Sequence, residues 1–291
     1  MGLRSFRTAL LALSLVPSAL AVPAAPAAAD AAVDDRRAAI AATLLDRLNV
    51  RDIAEGWQKM IVGSLPECGC DEVARARAKL AWRTAVEHAF DAELFRAEMH
   101  KALATSFTVK ELTEILAFRD TPLGRKLSAL EKPQNAEQKD MARAMAELGE
   151  AQKALNREPA RRKLMEDLVA ATGGVDAMVD MLSSISLGTA LGAAAATPEG
   201  QPRMTQGEIM AMVDGARPTI RLAVGPIVVP ATAMLYKSLT VQELKRYRDI
   251  LLTPLGRKSS QVMLASLRRA MQAQAFAIGA RFAKELGVQE M

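Results

Sequence analysis

Three small groups of residues have types and spacings that invite chemistry. Cys68-Gly69-Cys70 holds the only two thiols of the 291-residue chain. In an oxidising compartment two such thiols rarely stay free, so Cys68 and Cys70 are candidates for a disulfide, the alternative being two unpaired thiols. Gly69 gives the backbone freedom to close so small a ring, and the strain makes the bond comparatively reducible. No thioredoxin-like strand-helix pattern surrounds the pair, which favours a loop staple over a redox device. His88 and His100 are the only histidines. With the two cysteines they match no usual ligand spacing, so no metal is expected. Gly124-Arg125-Lys126 and Gly256-Arg257-Lys258 lack the earlier glycine and directly following lysine of a nucleotide-binding loop. A looser role survives: helix-start N–H groups plus cations can hold a carboxylate or phosphate. Arg125, Lys126, Arg257 and Lys258 are therefore candidate contacts to an anion or a partner, and the partner charge could be an Asp or Glu of this chain. Nothing in the sequence resembles a Ser-His-Asp set or paired carboxylates, so no catalytic residue and no cofactor are expected.

These cations sit in a segment that occurs twice. Residues 107–128 read FTVKELTEILAFRDTPLGRKLS, and residues 239–260 read LTVQELKRYRDILLTPLGRKSS. They align without gaps at an offset of 132. Thr108-x-x-Glu111 and Thr240-x-x-Glu243 are capping boxes, in which Thr accepts the N–H three residues on and Glu reaches back. Leu112, Ile115 and Leu116 then make one apolar stripe, and Leu244, Tyr247 and Leu251 make its counterpart. The residue before proline disfavours helix, so each helix should end near Thr121 or Thr253. Thr then suits the N-cap, and Pro122 or Pro254 the first turn, of a following helix. A weaker echo pairs Arg36-Arg37, Ile40, Leu44 and Val50 with Arg161-Arg162, Met165, Val169 and Val175 at an offset of 125.

The Thr-x-x-Glu-Leu helix running into Thr-Pro-Leu-Gly-Arg-Lys resembles the bacterial domain-of-unknown-function 2059 family, in two tandem copies. The resemblance implies exported, all-helical proteins and no established activity. The family often carries Phe-Tyr before the Ser/Thr-Pro, whereas this chain has Phe118-Arg119 and Ile250-Leu251.

Arg4 and Arg7, the apolar run Ala9 to Val16 and the small-x-small pattern Ala19-Leu20-Ala21 form a secretory signal, with a second cleavage pattern at Ala27–Ala29. Half the chain is hydrophobic, a quarter is charged and aromatics are only 4%. That favours helices over a sandwich. A net charge of +5 without a basic cluster argues against nucleic acid. Residues 181–198 are uncharged but rich in Ala, Ser and Gly, which fits a tightly packed helix rather than a membrane span. Residues 222–236 are expected to be a buried core helix with Pro226 near its start. The methionines of the second copy, among them Met210 and Met212, could line an adaptable groove.

The sequence thus predicts an all-α protein: signal and linker over 1–29, one multi-helix repeat over 34–153 and another over 158–291, packed with pseudo-two-fold symmetry. We expect a periplasmic, non-enzymatic binding or structural module whose partner is a protein, peptide or lipid, with no transmembrane span in the mature chain. The alternative is a hydrolase-type periplasmic enzyme. An apolar groove would favour the first, and a deep pocket with a buried carboxylate the second.

Overall fold

The computed structural model describes residues 25–63, 71–132, 141–197, 200 and 203–289. Among them the regular structure is all helical, in twelve helices and no strand. They are α1 (Ala25–Arg47), α2 (Val50–Val62), α3 (Glu72–Ala89), α4 (Ala92–Ser106), α5 (Val109–Arg119), α6 (Pro122–Glu131), α7 (Met141–Arg157), α8 (Pro159–Thr172), α9 (Gly174–Ala196), α10 (Gln206–Leu235), α11 (Val241–Leu252) and α12 (Pro254–Gln289). Residues 1–24, the bulk of the expected signal, and the Cys68/Cys70 pair lie outside the described residues.

Local chemistry sets most boundaries. Asp71 and Asp91 cap α3 and α4 through their carboxylates. Thr205 and Glu208 form a capping box at the head of α10. The α8–α9 corner turns on Gly173 at φ 62°, in the left-handed region that glycine adopts without strain. Two helices begin ahead of the acidic residues that could have capped them. α1 begins at Ala25, ahead of the cap candidates Asp34 and Asp35, because its alanine-rich start is strong helix former and Pro26 falls in the first turn, where it is tolerated. α2 begins at Val50 after Asn49, which takes φ 53°. Asp52 lies inside its first turn, where a negative charge suits the helix dipole.

α12 is the spine, 36 residues long. It packs along α9, α3 and α4. The α9 contact is backbone on backbone. A Cβ on Gly192 would lie 2.0 Å from the Phe276 carbonyl oxygen, and one on Gly279 would lie 2.0 Å from that of Thr189. The small residues of 181–198 therefore serve close helix packing, with Ser184, Gly188 and Gly192 buried.

Two apolar cores result. The first joins Leu44 and Leu45 of α1, Trp82 of α3, Phe95 and Leu103 of α4 and Leu112 of α5 with Met271 and Ile278 of α12. The second joins Met165 and Leu168 of α8, Ala233 near the end of α10 and Leu244 of α11 with Leu123 and Leu127 of α6. The cores do not divide the chain at Glu158. α6, while still packed on α5, contributes to the second core, and α12, while still packed on α9, contributes to the first.

Residues 222–236 correct the sequence reading. They are not a separate buried helix starting at Pro226, but the last half of α10, which runs through Pro218, Pro226 and Pro230. Leu222 is 79% exposed. α9, α7 and α8 cover only part of the helix, so its apolar run is not matched by burial. By length and composition alone, α9 and α10 are each apolar enough to cross a membrane.

Candidate functional site

The two Thr-Pro breaks repeat one local construction. Thr108 and Thr240 each form a complete capping box with Glu111 and Glu243. Thr121 accepts the Gly124 N–H and Thr253 accepts the Gly256 N–H, both at 3.0 Å. A Cβ on Gly124 or Gly256 would lie 2.1 Å from the carbonyl oxygen of Phe118 or Ile250, so each break needs glycine for the close approach of backbones. The Arg125 and Arg257 guanidiniums donate to the carbonyls of Asp120 and Leu252, closing the end of the helix before each break.

The lysines do something else. Lys126 reaches the carboxylate of Glu243, at 2.9 Å, and Lys258 reaches that of Glu111, at 2.6 Å. The two ion pairs cross, each lysine ending on the capping-box glutamate of the other motif. Lys258 also lies 4.8 Å from the centre of the Phe107 ring, a cation–π distance. The Lys258 hydrogen bond, followed by the Thr108 N–H, lowers the pKa of Glu111 to about 2. The Thr240 N–H, followed by Lys126, lowers that of Glu243. Both lysines are thus engaged with internal carboxylates, in half-exposed pairs.

Between the breaks lies a cavity of about 500 Å³. α1 and α4 give it Leu44, Phe95, Met99 and Leu103; α12 gives it Leu255, Met263 and Leu267. Its methionines are therefore Met99 and Met263, not the expected Met210 and Met212, which are exposed on α10.

Polar groups gather on one wall. Arg119 pairs with Glu131 at 2.8 Å, their side chains only 15% and 20% exposed. Tyr236 donates to Glu131 at 3.0 Å, and Tyr247 lies at 3.5 Å. Burial, then the charge on Glu131, pushes the Tyr247 hydroxyl up to about 12. Burial also drives Tyr236 far above the ordinary phenol value. For Arg119 burial opposes the charge, but Glu131 and the two tyrosines hold its pKa above the usual value. Ser259, another lining residue, has a buried hydroxyl with no partner among the described residues.

A second, wider cleft of about 790 Å³ lies beside it, and Thr172, Ser260, Leu264 and Leu267 line both. The cleft wall carries Asp167, Asp176 and Asp180 with Arg248, Arg257 and Arg268.

Sequence reasoning marked the capping residues and the four cations but missed Arg119, Glu131, Tyr236 and Tyr247. One signal was available: Arg119 stands where the resembled family often has an aromatic residue. The histidines lie elsewhere, His88 on the Thr84 carbonyl and His100 on that of Ala38. Among the described residues no group of three His, Cys, Asp or Glu is placed to hold a metal.

Residues 93–153 match the family described as "Uncharacterized protein conserved in bacteria (DUF2059)". The match runs from the first turn of α4 into α7 and takes in Thr108, Glu111, Arg119, Lys126 and Glu131. No curated protein and no solved structure matches the chain.

Proposed function

We propose that this chain is an exported, periplasmic, non-enzymatic binding module that holds the apolar part of a small amphipathic ligand. In this reading residues 34–153 and 158–291 are tandem helical repeats that trade their last motif helix across a pseudo-two-fold axis. The crossed pairs Lys126–Glu243 and Lys258–Glu111 support it, since residue i meeting j while j's equivalent meets i's is the mark of a two-fold contact. The exchange of α6 and α12 between the cores supports it equally. The sequence features of residues 1–29 support export.

The observation that carries the binding reading is the cavity. About 500 Å³ of space walled by apolar side chains, with a few convergent polar groups, fits the size and chemistry of small-molecule sites. A buried carboxylate is present, but Glu131 is taken up by Arg119, Tyr236 and Tyr247. The tyrosines, with raised pKa values, stay protonated near neutrality and serve as donors rather than bases. The cluster suits a fixed polar wall better than proton transfer.

The test is titration with the neutral fluorescent probe N-phenyl-1-naphthylamine. Probe emission should rise and saturate with wild-type protein. Leu264→Trp, which puts a larger side chain on the cavity wall, should weaken binding about tenfold or more while leaving the helical circular dichroism unchanged. Saturable binding indifferent to Leu264→Trp, or no binding by the wild type, overturns the reading.

A further inference from the structure

We infer that the uncovered side of α10 docks on a phospholipid bilayer. The half of the helix from Leu222 to Leu235 lies along the boundary between headgroups and acyl chains of one leaflet, parallel to the membrane rather than across it. This surface is separate from the cavity, to which α10 gives no lining residue among those described. Exposure, length and the charges at the ends of the run all point to lipid.

The two helices apolar enough to enter lipid differ in what covers them. In the most apolar 18-residue window of α9, 33% of residues are buried, and Gly188 and Gly192 lie against the α12 backbone. α9 owes its composition to packing inside the protein. In the matching window of α10 only 11% are buried. Leu222, Ala223, Pro226, Ile227, Ala231 and Leu235 are all exposed. The opposite side is held by protein: Ala233 enters the second core with Leu155 of α7 and Leu168 of α8. α10 also lies far from the N-terminus, so an export signal does not account for its apolar run. An apolar face left in water is a standing cost that a lipid surface removes.

Length separates lying on a membrane from crossing it. Residues 222–236 carry no charge. At 1.5 Å per residue the run is about 22 Å long, short of the roughly 30 Å of bilayer hydrocarbon. Glu208, Asp214, Arg217 and Arg221 precede it in the same helix, and a spanning helix would have to bury them. With one side held by α7 and α8, lipid reaches the other side only, as it does for a helix lying in the interface. The run is bounded by a cation at each end, Arg221 and Lys237. Lys237 is exposed and makes no ion pair among the described residues; Arg221 pairs with Asp176 in a half-exposed contact. Cations flanking an apolar run are placed to meet lipid phosphates while their stems lie along the acyl boundary. A second copy of the chain fits less well. A strip about 22 Å long and about 10 Å wide falls well short of the roughly 800 Å² that each partner gives a standard interface.

Flotation of the full mature chain with vesicles of phosphatidylethanolamine and phosphatidylglycerol tests the surface, alongside Leu222→Glu/Ala223→Glu and Leu222→Trp. The substituted side chains are exposed, so both variants should keep the wild-type melting curve. The wild type should float with the vesicles, and vesicles of phosphatidylcholine alone should capture about fivefold less. The double Glu variant should lose about tenfold or more of the capture, because two carboxylates then face the acyl boundary. Leu222→Trp should float at least as well as the wild type, and its emission should shift to the blue when vesicles are added, since Trp favours the membrane interface. A wild type that stays with the aqueous fraction overturns the inference. So does flotation that the double Glu variant retains, or a Leu222→Trp emission that vesicles leave unchanged. A wild type that stays off vesicles but sediments as a dimer, with the double Glu variant sedimenting as a monomer, replaces lipid by a second copy of this chain.

Discussion

Glu111 does two jobs with one carboxylate, accepting the Thr108 N–H at the head of α5 and the Lys258 ammonium from α12. Gln can keep the first but not the second, because a capping box accepts Glu or Gln whereas an ion pair needs the charge. The pKa of Glu111 is depressed from 4.5 to about 2. A depressed carboxylate pKa adds stability that is present above the unfolded value and lost as pH falls through the folded one. The melting temperature of the wild type should therefore exceed that of Glu111→Gln most above about pH 5, with the gap closing by about pH 2. A gap unchanged across that range would mean that Lys258 does not hold the carboxylate in solution. The pairs are half exposed, so Lys126→Gln with Lys258→Gln should cost only about 1 kcal/mol in total. At this scale the sequence displayed the right residue types but not their partners. Lys126 and Glu243 are 117 positions apart, and no local spacing encodes that contact. Arg119 and Glu131 were hidden for a related reason: each reads as an ordinary helix-surface charge until α6 folds back against α5 and both are buried.

Helices were more legible than side-chain contacts wherever their ends are written in short-range chemistry. Asp71, Asp91, Thr108, Thr121, Thr205 and Thr240 each accept a backbone N–H at the start of the following helix. Those bonds span two or three residues, so sequence alone can specify them. Thr108→Ala and Thr240→Ala should each lower the unfolding free energy by about 1 kcal/mol in denaturant titrations. A value near zero at either site would mean that water replaces the cap at no cost. Burial along α10 was misread because hydropathy reports what a helix could bury, whereas α9, α7 and α8 decide what is covered. Small residues gave a sounder signal on α9, since Gly188 and Gly192 have a steric purpose that only another backbone can explain.

At the scale of the molecule, α6 and α12 tie the residues on either side of Glu158 together, since each contributes to the core that holds most of the other side's helices. Leu123 and Leu127 of α6 are buried in one core with residues of α8, α10 and α11, while α6 also packs on α5. Met271 and Ile278 of α12 lie in the core built by α1, α3 and α4 together with Met181 of α9. Cutting the chain near Glu158 would remove part of the packing around those four side chains and leave gaps in both cores. Each fully buried Leu, Ile or Met contributes about 1.5–3 kcal/mol. Losing even part of that burial at four sites is a large share of the stability of a typical domain, about 5–15 kcal/mol. Residues 30–157 and 158–291 expressed separately should therefore retain helical signal but lose a sharp thermal transition. The cavity should vanish with them, because α1 and α4 form one wall and α11 and α12 the other. Mixing the two fragments should restore both the transition and probe binding, since every contact between them is noncovalent apart from the severed loop. A sharp melt from either fragment alone would show that α6 or α12 can fold back onto its own half. The exchanged packing would then be one arrangement among two, and a chamber walled from both halves could not be the fixed feature on which binding depends.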